Sequence, residues 1–390
     1  MKFFVMGAGR MGYAVVYDLI RSPKVEQVIV ADRDPERVQA LCEKICDDKI
    51  VPVELDVSKL DDVIPIMAKC QVAISCLNSD HNYELCKAAL EAQTHFCDLG
   101  GGLETLKKQL LLNELARERD ITIMPALGLA PGMVSLLSVV AAESLDELYE
   151  IRIRAGGVPV DPEDLILKHC QLFSVDALIA EYVADATIIR DGKLYHVPSL
   201  TDVERIEFPK PFGAMDAFNT SGGIATLAER YLGKVQHLDF KTIRYPGHCE
   251  QVALLKDLGL MSGDTVELES GSAVQPRELI SHLFADKLSK DEPDAVLLRI
   301  TVTGMKDKKP LQIVWECVDY SDLADSLSAV MRMSAFPASI IAQMIARGDI
   351  KERGVLNVEG NVPIKLFLAE LAGRGITLTM TERAPVPHSS

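Results

Sequence analysis

Two stretches of this 390-residue chain hold residue types whose spacing could do chemistry. The first is GAGRMG, residues 7–12, entered directly from the apolar run KFFVM. About twenty positions later a second apolar run, VIVA, ends at Asp32, completing a strand, a glycine turn, a helix, a second strand and an acid at its tip. That is the fingerprint of a dinucleotide site. Gly7 permits the tight turn, Gly9 lets backbone approach a pyrophosphate, and Gly12 lets the helix opened by Arg10 and Met11 pack closely on the sheet. The positive end of that helix then faces the phosphates. Asp32 is placed to accept hydrogen bonds from an adenosine ribose, which points to NAD; Arg33 beside it could pair with the extra phosphate of NADP.

The second stretch is KTIRYPGH, residues 241–248, at the end of an expected strand and before a helix. Strand alternation puts Lys241, Ile243 and Tyr245 on one face, with Thr242 and Arg244 on the other. Arg244 could bind a carboxylate, with Lys241 as a second cation, and Tyr245 or His248 could shuttle a proton. An ordinary amphipathic strand ending in a Pro246–Gly247 turn is the plainer alternative. FNTSGG, residues 218–223, offers Asn219 and Thr220 ahead of a helix, either as a cap or as a carboxylate site.

These residues need elements to position them. Up to residue 125 the chain alternates apolar strand-like runs with amphipathic helices, which predicts a doubly wound parallel sheet of the Rossmann type with ligands at the strand C-termini. Asp56 and Val57 follow the third strand and would flank the adenine. Cys76, Leu77 and Asn78 follow the fourth and should line the nicotinamide-side ribose. Asp98 ends the fifth, where a nicotinamide would lie, although an Asp before glycines is often a turn former.

Residues 126–330 read as a second, α+β domain with a mixed, largely antiparallel sheet and helices on one face. Asp191–Gly192 marks a hairpin. Residues 331–390 should return to the first domain, after a long helix broken near Pro337. A cleft between the domains is the natural substrate site.

Composition narrows the partners. The net charge of −16 argues against nucleic acid, whose phosphates demand a basic face. Nine cysteines without a CxxC pair fit a reducing cytosol. Cys42 and Cys46, one helical turn apart, read as buried thiols rather than half of a metal site, and no metal is expected. The apolar stretch 126–142 contains Pro131, Gly132, Ser135 and Ser138, which suits a loop and buried helix better than a membrane span.

GAGRMG, CDLGG, GLAPGM, AGGVPVDP, FSVDALIAEY, DAFNTSGG, KTIRYPGH and AFPASIIAQMIARGDI occur in the order seen in saccharopine dehydrogenase-like oxidoreductases, and the chain resembles that family from Lys2 to about Met380. Within it, the similarity is greatest to the lysine 6-dehydrogenases. The resemblance implies a Rossmann domain completed by the C-terminal segment, a homodimer, and NAD(P)-linked chemistry at a carbon–nitrogen bond of an amino acid. It departs at Asp176, where saccharopine-binding relatives carry an arginine; an acid there suits an ammonium-bearing substrate. Ala130 replaces an acid, and Arg332-Met333-Ser334 replaces an Arg-Thr-Thr run. The expected reaction is oxidation of L-lysine at its ε-carbon, with Asp98, Tyr245 and His248 as proton-handling candidates and Arg244 on the α-carboxylate. A saccharopine-type secondary-amine oxidoreductase and a dinucleotide sensor without turnover are the alternatives.

Overall fold

The computed structural model describes residues 1–224, 226–290 and 292–385, which form two units. Unit 1 comprises Met1–Val140 and Met331–Thr377. Its strands are β1 (Lys2–Met6), β2 (Gln27–Asp32), β3 (Ile50–Glu54), β4 (Val72–Ser75), β5 (His95–Asp98) and β6 (Thr122–Met124). With Gly354–Val355 they make a seven-stranded parallel sheet, ordered Gly354–Val355, β6, β5, β4, β1, β2, β3. Phe3, Phe4, Val5 and Met6 are fully buried, as a central strand covered by helices on both faces requires. The strand order reverses between β1 and β4, so the loops that leave those two strands diverge to opposite faces and open a crevice.

The C-terminal part of unit 1 returns to the sheet through specific contacts. Gly354 N donates to Ile121 O and Leu356 N to Ile123 O, which seats Gly354–Val355 beside β6. Asp18, buried on the helix Arg10–Arg21, accepts from Arg374 Nη2 at 3.0 Å and from Ser339 Oγ at 2.6 Å. The helix that starts at the glycine turn is therefore anchored by residues more than three hundred positions away.

Three local expectations change. The helix Ala329–Arg347 runs through Pro337 without a break, because its almost continuous burial outweighs one lost backbone hydrogen bond. It is also the one described helix long and apolar enough to cross a membrane, yet it is almost wholly buried inside the protein, as a core helix is. Where strand–helix alternation expects one helix between β5 and β6, the chain forms two, Leu103–Leu110 and Asn113–Glu118, and Asn113 Oδ1 accepts from Val355 N. Cys42 is only half-buried, and Cys46 is exposed at the left-handed C-cap of Pro35–Ile45.

Among the described residues, unit 2 comprises Ala141–Val330 and 378–385. Its strands include β7 (Glu147–Pro159), β8 (Ala186–Arg190), β9 (Lys193–Val197), β10 (Glu204–Phe208), β11 (Gly213–Asn219) and β12 (His237–Arg244). A nine-stranded mixed sheet runs β10, β11, β12, β7, Asp294–Lys306, Lys309–Tyr320, Thr379–Arg383, with β8 and β9 branching from β12. Only the β12–β7 pair is parallel among these described strands. Asp191 and Gly192 both take positive φ, 50° and 73°, the mirror-image turn the hairpin needs. The final strand, Thr379–Arg383, pairs with Lys309–Tyr320 and so belongs to unit 2, where its exposed polar residues cover an otherwise open sheet edge.

The helices Val175–Val183, His248–Asp257 and Pro276–Lys287 contribute Tyr182, Cys249, Val252, Ile280 and Phe284 to one apolar cluster with Phe218. Ile243, Tyr245, Ala217 and Val158 enter a separate cluster. Asp18→Asn should cost about 2 kcal/mol, since it removes the buried charge that Arg374 and Ser339 share and leaves Glu370 as the guanidinium's remaining carboxylate; urea unfolding followed by circular dichroism measures this, and a loss under 1 kcal/mol would contradict the anchoring role.

Candidate functional site

In unit 1 the glycine turn has the geometry a nucleotide requires. Gly7 has φ of 102°, and its N donates to Ala31 O at 2.7 Å. A Cβ on Gly9 would meet nothing within 4 Å, so the turn faces open space at the N-cap of Arg10–Arg21. A Cβ on Gly12 would lie 1.8 Å from Gly7 O, so only glycine lets the helix approach the turn. Asp32 accepts from Ala8 N at 2.8 Å and Asp34 N at 3.1 Å, which pins the turn from the tip of β2; Arg33 beside it is exposed.

Arg10 is exposed and Met11 half-buried at the start of the helix. Cys76 and Leu77 pack directly on Gly7, with Cys76 O and Leu77 Cδ2 each 3.1 Å from the position of a Cβ there. The loops after β1 and β4 thus meet at the switch point. Asp56 is exposed and accepts from Ser58 N and Oγ, while Val57 packs on the core of the sheet. This cradle fits a dinucleotide.

Asp98 does not fit a chemical role. It is fully buried, and its carboxylate accepts from Gly100 N at 2.8 Å, Ala126 N at 3.0 Å and Gln109 Nε2 at 2.7 Å. Burial raises its pKa, and those three donors pull it back. With no surface to offer a substrate, Asp98 instead ties the loop after β5 to Ala126 and to the helix Leu103–Leu110.

In unit 2 the period of two divides KTIRYPGH between the two faces of the sheet. On one face Lys241 is buried and bound to Asp202 and Glu204, at 3.0 and 2.9 Å. Arg154, opposite it on β7, bridges Glu204 and Asp239. Burial pushes Glu204 up, but the charges and hydrogen bonds of Arg154 and Lys241 outweigh it and hold the carboxyl at about 2. Lys241 is therefore consumed by internal ion pairs and is not a free cation for substrate. Asn219, its register partner on β11, donates to Thr201 Oγ1. Tyr245 Oη donates to Pro159 O at 2.9 Å, and burial pushes the phenol up to about 12, so the proton-shuttle role expected of it is not available.

The other face gathers a different set. Arg244 is 2% exposed, and its guanidinium donates to Tyr182 Oη at 3.3 Å, Ile243 O at 2.9 Å and Gly157 O at 3.4 Å. A Cβ on Gly156 would lie 2.3 Å from Ile243 O and 3.0 Å from Arg244 Nη1, so the first glycine of AGGVPVDP makes room for the guanidinium.

His248 Nδ1 donates to Leu167 O at 2.9 Å, which leaves Nε2 to accept from Tyr182 Oη at 2.9 Å. Burial, and then the Arg244 charge, push His248 down to about 3. A neutral imidazole with so low a pKa is a poor base, and its structural role is to orient Tyr182. Thr220 and Thr242 share a 2.6 Å hydrogen bond on this face.

Three residues not singled out in the sequence complete the cluster. Tyr182 and Glu181 lie on the helix Val175–Val183, and His169 precedes it. Burial raises Glu181 to about 7, with Arg244 pulling the other way. The helical period from Phe218's partner Tyr182 could have exposed this face, but nothing local marks it as polar. Asp176, one and a half turns earlier, is exposed and accepts from Ser281 Oγ, so it does not join the cluster. Arg244 makes no ion pair with a carboxylate at bonding distance among the described residues.

Residues 3–124 match the saccharopine dehydrogenase NADP binding domain, and residues 128–376 match the saccharopine dehydrogenase C-terminal domain. Carboxynorspermidine synthase of Vibrio cholerae serotype O1 is 20% identical over 414 aligned residues, spanning 99% of this chain and 98% of that protein. The Vibrio alginolyticus enzyme of the same name is 21% identical over 412 residues, 99% of this chain and 98% of that protein. Among solved structures, L-Glu-forming saccharopine dehydrogenase from Saccharomyces cerevisiae superposes with a TM-score of 0.81 at 19% identity, covering 98% of this chain and 100% of the other. Homospermidine synthase from Legionella pneumophila in complex with NAD gives 0.69 at 12% identity, covering 97% and 91%. Both likenesses are of fold.

The depressed Glu204 sets a pH window. Its contribution to stability is complete above the unfolded value of about 4.5 and is lost as pH falls towards about 2. Glu204→Gln should flatten that part of a stability–pH curve measured by thermal unfolding; an unchanged acid limb would refute the assignment.

Proposed function

The chain belongs to the saccharopine dehydrogenase family of NAD(P)-dependent oxidoreductases, and from that premise we propose that it oxidises the side-chain carbon–nitrogen bond of an α-amino acid, as a lysine 6-dehydrogenase does. The observation that carries this reading is Arg244, a buried guanidinium whose partners among the described residues are neutral oxygens. A buried cation without a counter-ion is costly, and a substrate carboxylate relieves that cost. The charge of Arg244 reaches Glu181, whose carboxyl burial pushes up to about 7. A cation and a carboxyl group within reach of its charge match the two charges on the head of an α-amino acid.

The count of charges supports the choice of substrate. Burial and the Arg244 charge lower both His169 and His248, so both are neutral, and Lys241 is engaged on the opposite face. Among the described residues Arg244 is then the buried cation of the cluster, since Lys256 spends its ammonium on the Tyr182 carbonyl, and one guanidinium suits one carboxylate. That favours lysine over saccharopine, which carries more. A nicotinamide dinucleotide with its pyrophosphate at the glycine turn would supply the hydride chemistry. Asp32 at the tip of β2 favours a free ribose hydroxyl and hence NAD, because a carboxylate repels an added phosphate. The protein's own part is to hold the head group, keep Tyr182 oriented through His248, and exclude water around Arg244.

A second reading has support of its own. Two full-length relatives are named for making carboxynorspermidine, so a secondary amine with one carboxylate also suits the cluster.

The decisive assay offers L-lysine, saccharopine and carboxynorspermidine with NAD or NADP and follows nicotinamide absorbance. Turnover of lysine with NAD is the expected result; turnover of carboxynorspermidine alone would replace it with the second reading, and turnover of saccharopine alone would sink both. Arg244→Ala should raise KM for the amino acid about 100-fold, on the order of 3 kcal/mol. For the acid at the head group, KM should fall as pH rises through about 7, where Glu181 ionises to hold the α-ammonium, and Glu181→Gln should abolish that dependence.

A further inference from the structure

Resting on the amino-acid reading above, the geometry points to His169 as a second hydrogen-bond donor to the carboxylate held by Arg244, and so as a residue that selects carboxylated substrates. His169 is 1% exposed, and neither ring nitrogen has a hydrogen-bond partner among the described residues. Its ring stands edge-on to His248 with centroids 5.3 Å apart. From His248 the contacts run through Tyr182 Oη, 2.9 Å from Nε2, to Arg244 Nε, 3.3 Å beyond.

Buried polar groups in folded proteins are nearly always paired, and an unpaired one carries its full desolvation cost. The neighbours explain why none is met internally. His248 spends both nitrogens on Leu167 O and Tyr182 Oη. Tyr182 spends its proton on His248 and accepts from Arg244. Burial, and then the charge of Arg244, keep His169 neutral, so one nitrogen carries a proton and lacks an acceptor. A ligand carboxylate at Arg244 supplies that acceptor: two oxygens, one facing the guanidinium and one the imidazole. An amine lacking the carboxylate leaves His169 unsatisfied, which discriminates between the two classes because the binding site's own buried group is stranded by the wrong one.

Binding separates this from an inert buried histidine without any need for turnover. The probes are hexanoate, which presents a carboxylate on a short chain, and hexylamine, which does not; affinity is measured by calorimetry and stability by thermal unfolding. His169→Leu should weaken hexanoate about tenfold and leave hexylamine unchanged. It should also raise the Tm of the free protein by about 2–4 °C, because an unpaired polar group has been removed. His169→Gln, which retains a donor, should restore most of the hexanoate affinity. An unchanged hexanoate affinity, an equal loss for both probes, or a lowered Tm would overturn the assignment. A wild-type protein that binds hexanoate in a His169-dependent way yet oxidises no amine would leave the assignment standing and remove the functional reading. One that binds neither hexanoate nor lysine would remove both.

Discussion

A buried guanidinium with no carboxylate partner among the described residues is the constraint around which unit 2 is arranged. Arg244 can occupy its place because Gly156 lacks a side chain, and a methyl there would press on both the β12 backbone and the guanidinium. Tyr182 can receive its Nε proton because His248 takes the phenol's own hydrogen, and His248 can do so because Leu167 O fixes its tautomer. Each hydrogen bond in that chain determines the direction of the next. The chain ends on one side at a backbone carbonyl and on the other at a charge still able to meet an anion.

The opposite face of the same sheet shows the contrasting solution. Arg154 and Lys241 are as deeply buried as Arg244, yet carboxylates from β10, β12 and the loop before β10 neutralise them. One face thus holds a closed ion network that stabilises the sheet, and the other holds a guanidinium bonded to neutral oxygens. Two buried cations three residues apart in sequence, Lys241 and Arg244, take these different roles because adjacent strand positions point to opposite sides. In unit 1 the controlling constraint is space: Gly12 allows a helix to lie against the turn at Gly7, and Asp18 holds that helix to Ser339 and Arg374.

Much of this was legible in the chain. The alternating pattern up to residue 125, the glycine turn, the acid at the tip of β2 and the Asp191–Gly192 hairpin are local signals, each set by backbone conformation or by a period of two or 3.6. The face assignment within KTIRYPGH was equally local. What stayed hidden was occupancy: Asp98, Lys241 and Tyr245 have the right types and the right placement for chemistry, yet their polar atoms are committed to Ala126 N, Glu204 and Pro159 O. Those partners lie between 28 and 86 positions away. No window on the sequence contains them.

The sequence by itself determined the fold class, the nucleotide-binding turn and the family, because these follow from periodicity, glycine placement and ordered motifs. Tertiary structure alone decided which polar groups are spent and which are free. It brought His169, Glu181 and Tyr182 to Arg244, left Asp176 on the surface, and carried the last strand to unit 2. The physical reason is that a hydrogen-bonding group's availability depends on its neighbours in space, and burial makes each unmet partner costly.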